Sequence, residues 1–172
     1  MVSPKKLTKL ARGFTLIELL IVIAIIAILA GVVFVSLNPT QRFKDARDAS
    51  RWTDVTAVLS AVKVHQVDNG GSYLASINAL TAGQAYQVSG DNTVLACNTN
   101  CSAVTAANRC VDISGLTTGA TAYLGAIPVS PNGSGENWTT SLTGYYLTKN
   151  SNGSVTVAAC SAESGGLVTV TR

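Results

Sequence analysis

Charge is scarce in this sequence. Only 12% of its 172 residues are Asp, Glu, Lys or Arg, about half the ~25% of an ordinary soluble domain. Apolar residues make up 47%, so a disordered acidic or basic tail is excluded. The densely charged surface of a typical cytosolic enzyme is missing too. Histidine occurs once, at His65. One imidazole with no fixed Ser or Cys partner gives no nucleophile–base pair, and His65 reads as a surface or groove residue. No Gly-rich phosphate loop, His-Glu-x-x-His or nucleophile elbow is present. The sequence therefore offers no catalytic residue, no cofactor and no metal site, and reads as a non-enzyme.

A basic surface is absent as well, despite the net charge of +3. Lys5, Lys6, Lys9 and Arg12 all fall within the first 13 residues, with no acid among them. Without those four, 8 basic and 9 acidic residues remain. Direct nucleic-acid binding needs a basic patch on the folded domain, and none survives. The length suits one domain of about 100–200 residues.

What is present is a long apolar run. From Phe14 to Leu37 there are 24 residues and a single charge, Glu18. As a helix this run is about 36 Å long, enough for a hydrocarbon core of about 30 Å. A cleaved secretion signal has an apolar stretch of only about 7–15 residues and ends in small residues; Ser36-Leu37-Asn38-Pro39 does not fit. The run reads as a retained single-pass anchor, with the basic leader inside and the remainder outside. Glu18 is costly in such a helix and calls for a partner or a function. A new α-amino group at Phe14, offered by a neighbouring copy shifted along a common axis, would supply the cation. Glu18 then acts as a register device for polymerisation.

Lys5-Lys6, followed by Arg12-Gly13-Phe14-Thr15-Leu16-Ile17-Glu18-Leu19-Leu20, resembles the prepilin signal of type IV pilins and type II secretion pseudopilins. The charged stretch from Asp45 to Asp54, leading to Asn69-Gly70-Gly71-Ser72-Tyr73, is similar to the same family, so the likeness spans about the first 73 residues. The resemblance implies cleavage after Gly13 by a prepilin peptidase, N-methylation of Phe14 and retention of the helix. It also implies a homo-oligomeric helical filament drawn from the membrane by an assembly ATPase and a membrane platform protein. The expected location is the cytoplasmic membrane with the C-terminal domain outside, then an extracellular pilus (fimbrium) or a periplasmic pseudopilus. The rival reading is a membrane-anchored extracytoplasmic binding module that does not polymerise; it would need neither Glu18 nor the Gly13–Phe14 junction.

The expected organisation is a leader over 1–13, a transmembrane and filament-core helix over 14–38, an amphipathic helix over 39–69 and a β-rich head over 70–172. Pro39 marks a helix kink. In the second helix Phe43, Ala46, Ala49, Trp52, Val55, Leu59, Val62 and Gln66 define the inner face. Arg42, Lys44, Asp45, Arg47, Asp48, Arg51 and Asp54 take the opposite, solvated positions, with Lys44–Asp48 an i,i+4 pair.

In the head, Gly, Ser, Thr and Asn make up 48 of 103 residues and only 7 are charged. Tyr145–Lys149 and Ser154–Cys160 read as a hairpin turning at Asn152-Gly153, with Leu167–Thr171 as a third strand. Thr93–Cys97 and Cys110–Ile113 are further strand candidates, and Ala122–Ile127 is a short helix or an extended run. The fold class is α+β, a long N-terminal helix on a small antiparallel sheet. Ile127-Pro128-Val129-Ser130-Pro131 resembles the proline-bearing loop of pseudopilins. Ser130 stands there where many relatives have Asp, so no calcium site is inferred. Cys97, Cys101, Cys110 and Cys160 fit disulfides on the translocated side, and their spacing suits zinc poorly. The preferred pairing is Cys110–Cys160, with Cys97–Cys101 closing a local loop. The tyrosines, Trp52 and Trp138 read as packing residues.

Overall fold

The computed structural model describes residues 13–91, 97, 100–119, 121–133 and 135–172. The leader residues Lys5, Lys6, Lys9 and Arg12, and positions 93–96 of one expected strand, lie outside that set. Two compact units result, one ending at Pro39 and one running Thr40–Arg172.

The first unit is helix α1, Leu16–Leu37. Thr15 caps its start from an extended backbone conformation, and its side chain accepts the Glu18 N–H. Its end is set by Asn38, which adopts a left-handed conformation (φ 40°) while its N–H bonds to the Val35 carbonyl. None of its residues is buried. The run is long and apolar enough to cross a membrane by length and composition.

Helix α2 (Pro39–Asp68), which lies in the second unit from Thr40 on, opens on a proline, the residue type suited to a first helical position. It ends at Gly70 (φ 63°), where the Gly71 N–H reaches back to the Gln66 carbonyl. Short helix α3 (Ala75–Asn78) follows. The strands are β1 (Ala85–Ser89), β2 (Cys110–Asp112), β3 (Tyr145–Lys149), β4 (Val155–Ala159) and β5 (Thr169–Thr171), in the order β2-β1-β3-β4-β5. Among the described residues β1–β2 pair in parallel and the other three strand pairs are antiparallel. Val55, Val58, Leu59 and Val62 of α2 join Val88, Tyr145, Leu147, Val155 and Val157 of the sheet in one core. This is the expected α+β arrangement, a helix laid on a mostly antiparallel sheet.

The three-strand meander falls where alternation placed it, and the β3–β4 turn passes through Asn152 and Gly153, the latter at φ 82°. Cys110–Asp112 is also a strand. Residues 122–127 form neither helix nor strand. Strand β1 was not foreseen, because its Gln87 and Ser89 are polar yet buried.

The helix register and the cysteine pairing need correction. Phe43 and Trp52, expected on the inner face, are 66% and 45% exposed. Ala46 and Ala49 are exposed as well. Asp48 and Arg51, expected in solvent, are buried at 4% and 0%. The cysteines pair Cys97–Cys110 and Cys101–Cys160, with Cα–Cα distances of 5.4 and 4.7 Å. Cys110–Cys160 is ruled out by strand order: β1 and β3 lie between β2 and β4, about 14 Å at ~4.8 Å per strand, beyond the ~7 Å reach of a disulfide.

Peptide mapping without reduction checks this directly. Cross-linked peptides should join Cys97 to Cys110 and Cys101 to Cys160, and a Cys110–Cys160 peptide would contradict the strand order.

Candidate functional site

At the N-terminal junction Gly13 and Phe14 are exposed and precede the helix, Phe14 at 77%. A Cβ added to Gly13 would meet nothing within 4 Å. Packing therefore does not explain a glycine there. One turn on, Glu18 and Thr15 form a reciprocal cap. Glu18 Oε2 accepts from the Thr15 N–H at 3.0 Å and from the Thr15 hydroxyl at 2.8 Å, and the Glu18 N–H donates back to Thr15 Oγ1. A capping box satisfies helix-end donors, and here it holds the one charge of the apolar run beside Thr15, one residue from Phe14. Phe14, Thr15 and Glu18 thus lie together, whereas Pro39 and the four cysteines belong to other places in the chain.

A cluster absent from the sequence reading lies on α2. The Arg51 guanidinium donates to Ser130 Oγ at 3.0 Å, Asp48 Oδ1 at 2.7 Å, the Pro131 carbonyl at 2.9 Å and Glu163 Oε1 at 2.9 Å. Arg47 adds a two-pronged pair to Glu163. Asp48 in turn accepts the backbone N–H groups of Glu163 and Ser164 and the Ser164 hydroxyl. So Asp48 pairs with Arg51 and the loop after β4, and the expected Lys44–Asp48 pair is replaced. Ser130, at the loop position where an acid was considered, receives a guanidinium N–H. Among the described residues no group of three or more His, Cys, Asp or Glu could hold a metal ion.

Electrostatics follow this geometry. The Arg47 hydrogen bond, aided by Arg51 and opposed by burial, lowers the Glu163 carboxyl to about 2. Burial would raise Asp48, but bonds from Ser164, Arg51 and the Glu163 amide outweigh it and hold the carboxyl low. Asp54 goes the other way. Burial raises its carboxyl even though Tyr145 donates to it at 2.5 Å. The Tyr145 phenol is raised by its own burial and by that carboxylate. Elsewhere, His65 sits half-buried with its ring 5.3 Å from that of Tyr123. Trp138 and Tyr145 are buried as packing residues; Trp52 is not. The only sequence cue to the cluster was Glu163 itself, one of the few head carboxylates and hence in need of a cation.

Arg51→Ala should destabilise the full chain in detergent by about 3–5 kcal/mol in urea unfolding, because it removes one partner of the buried Arg51–Asp48 pair. Glu163→Gln should cost stability at neutral pH. A lowered carboxyl stabilises the fold above its ordinary value of 4.5 and loses that contribution as pH falls toward about 2. The gap between wild type and Glu163→Gln should therefore be widest above pH 4.5 and close toward about pH 2. A constant gap would contradict the assignment.

Comparison with known proteins bears on the N-terminal part. Residues 8–34 match the family model described as a prokaryotic N-terminal methylation motif. The chain is 53% identical over 74 residues to the type IV wide pilus major component PilA4 of Thermus thermophilus, covering 41% of this chain and 51% of the relative. The chain thus spans about half the length of that curated relative. No solved structure matches it. Over its N-terminal part the chain is thus similar to the prokaryotic N-terminal methylation motif and to a type IV pilus component.

Proposed function

We propose that this chain is a structural subunit of a type IV pilus or a secretion-type pseudopilus, anchored by α1 in the membrane and polymerised through it. The observation that carries the reading is α1 itself: an apolar helix with no buried residue, whose sole charge is held next to an exposed Gly13–Phe14 junction. A helix bare on every side needs either lipid or copies of itself around it. In this reading a prepilin peptidase cuts after Gly13, Phe14 is N-methylated, and an assembly ATPase and platform protein move the subunit from membrane to filament. Residues 14–38 become the filament core, with a kink at Pro39. Residues 39–69 form the spine of an outer head over 70–172. The chain needs no catalysis of its own.

Glu18 is the assembly residue. Its bonds to Thr15 both use Oε2, and Oε1 is the oxygen offered to the Phe14 amine of a neighbour. Side-chain packing between helices replaces lipid contact at modest net cost, so a buried ion pair at each subunit contact sets register. Removing one partner of such a pair costs about 3–5 kcal/mol.

Mass spectrometry of the mature chain should find Phe14 at its N-terminus with one added methyl group. Glu18→Ala should leave membrane insertion intact and abolish or greatly reduce shear-released filaments, with Glu18→Gln separating charge from hydrogen bonding. A mature chain beginning after Leu37, or a normal filament yield from Glu18→Ala, would refute the reading.

A further inference from the structure

The middle of α2 is short of charge on its outer side. Between Asp54 and Lys63 no residue is charged, whereas the solvent face of a helix is normally polar and charged. Trp52, Thr53, Thr56, Ala57 and Ser60 line a shallow open groove there of about 500 Å³, and Trp52 is 45% exposed. The two threonine hydroxyls are turned back into the helix, donating to the Ala49 and Trp52 carbonyls at 3.1 and 2.8 Å. Their donors are thus satisfied within α2, and the groove can be covered without stranding either one.

A side chain suited to that groove stands elsewhere on the same unit. Among the described residues of the second unit, the exposed large apolar side chains are Phe43, Trp52, Val64 and Val67 on α2, and Leu167 in the loop before β5. Leu167 is the most exposed of them, at 81%. Its exposure is not that of a frayed loop. On one side the amides of Glu163 and Ser164 end on Asp48. On the other, Val168 is buried and its carbonyl accepts the Ala159 N–H. A knob held in this way loses little freedom on docking.

The size of the groove decides what fills it. Five lining residues fall far short of the ~20–30 residues a side of a stable interface, so the groove cannot hold a free protein. It can be filled by a chain already kept alongside, since tethering raises the effective concentration. Copies joined through α1 meet that condition. Pairing of α2 with α2 would be isologous and close at two chains, whereas a knob and a hole on different elements make a heterologous contact that can repeat without closing. We propose that Leu167 of one subunit seats in the Trp52–Ser60 groove of a neighbouring copy, a contact between heads that forms once the copies are held together by α1. The proposal rests on the filament reading of α1.

The test uses the full chain carrying one added cysteine, Ala57→Cys or Leu167→Cys, the four native cysteines being disulfide-bonded. The two variants are co-expressed, filaments are released by shear, and a short bismaleimide is added. Adducts joining the two different positions should form in filaments and be at least ~10-fold rarer in detergent-dispersed chain, where the effective concentration is lost. Leu167→Asp should lower filament yield about tenfold, the scale of one leucine lost from a buried contact, while Leu167→Met keeps it. The urea midpoint of Leu167→Asp should match wild type, because Leu167 is exposed in the single chain. Filaments that give no adduct, or adducts between like positions alone, would overturn the contact and leave the filament reading standing. So would a normal yield from Leu167→Asp. Equal adducts in dispersed chain would overturn it in favour of a free dimer. A wild-type chain that forms no filaments would overturn both readings.

Discussion

A fully buried guanidinium dictates how the head domain is put together. Arg51 has no exposure, and an unpaired charge in that setting would cost several kcal/mol. Its surroundings therefore had to be built from three separate stretches: Asp48 on its own helix, Ser130 and Pro131 in one loop, and Glu163 in another. Asp48 then fixes the backbone of Glu163 and Ser164. Even a glycine is tied to this arrangement, since a Cβ on Gly133 would fall 2.7 Å from Glu163 Oε1. Through these bonds the charged half of α2 belongs to the head as firmly as the apolar half that packs on the sheet.

Helix α1 poses the opposite problem. It is capped at both ends, by the Thr15–Glu18 box and by the left-handed Asn38, while burying nothing. The head is closed by a core, two disulfides and an ion cluster; α1 is closed by none of these. The proposed filament, and the membrane before it, are the two environments that would complete α1. The same contrast explains why a charge-poor chain can hold a long apolar helix and a polar head without mixing them. The few charges it has are concentrated on α2 and the loops facing it.

Much of this was legible in the sequence where local chemistry decides. The meander followed from alternation in Tyr145–Lys149 and Ser154–Cys160 around Asn152-Gly153, and the end of α2 from Gly70 and Gly71. The cap at Thr15 and Glu18 sits within the motif that carried the family resemblance. Legibility failed where the deciding partner is distant. In the first half of α2 the apolar residues Phe43 and Trp52 face out while Asp48 and Arg51 face in, because Glu163, more than 100 residues away, makes burial of Arg51 tolerable. Apolar periodicity has no means of representing that. Strand β1 was hidden by Gln87 and Ser89, polar residues buried between two other strands. Cysteine pairing depended on strand order, and no spacing rule contains strand order.

Hydrogen exchange at the amides of Glu163 and Ser164, measured on the full chain, tests most directly whether the buried cluster fastens this loop to α2. Both residues lie in an irregular loop, outside any strand, and their N–H groups end on Asp48. If Asp48 and Arg51 hold the loop, these two amides should exchange nearly as slowly as those of β3 and β4, and Arg51→Ala should release them while the strand amides stay protected. Fast exchange at both positions in the wild-type protein, at the rate of an exposed loop, would contradict it.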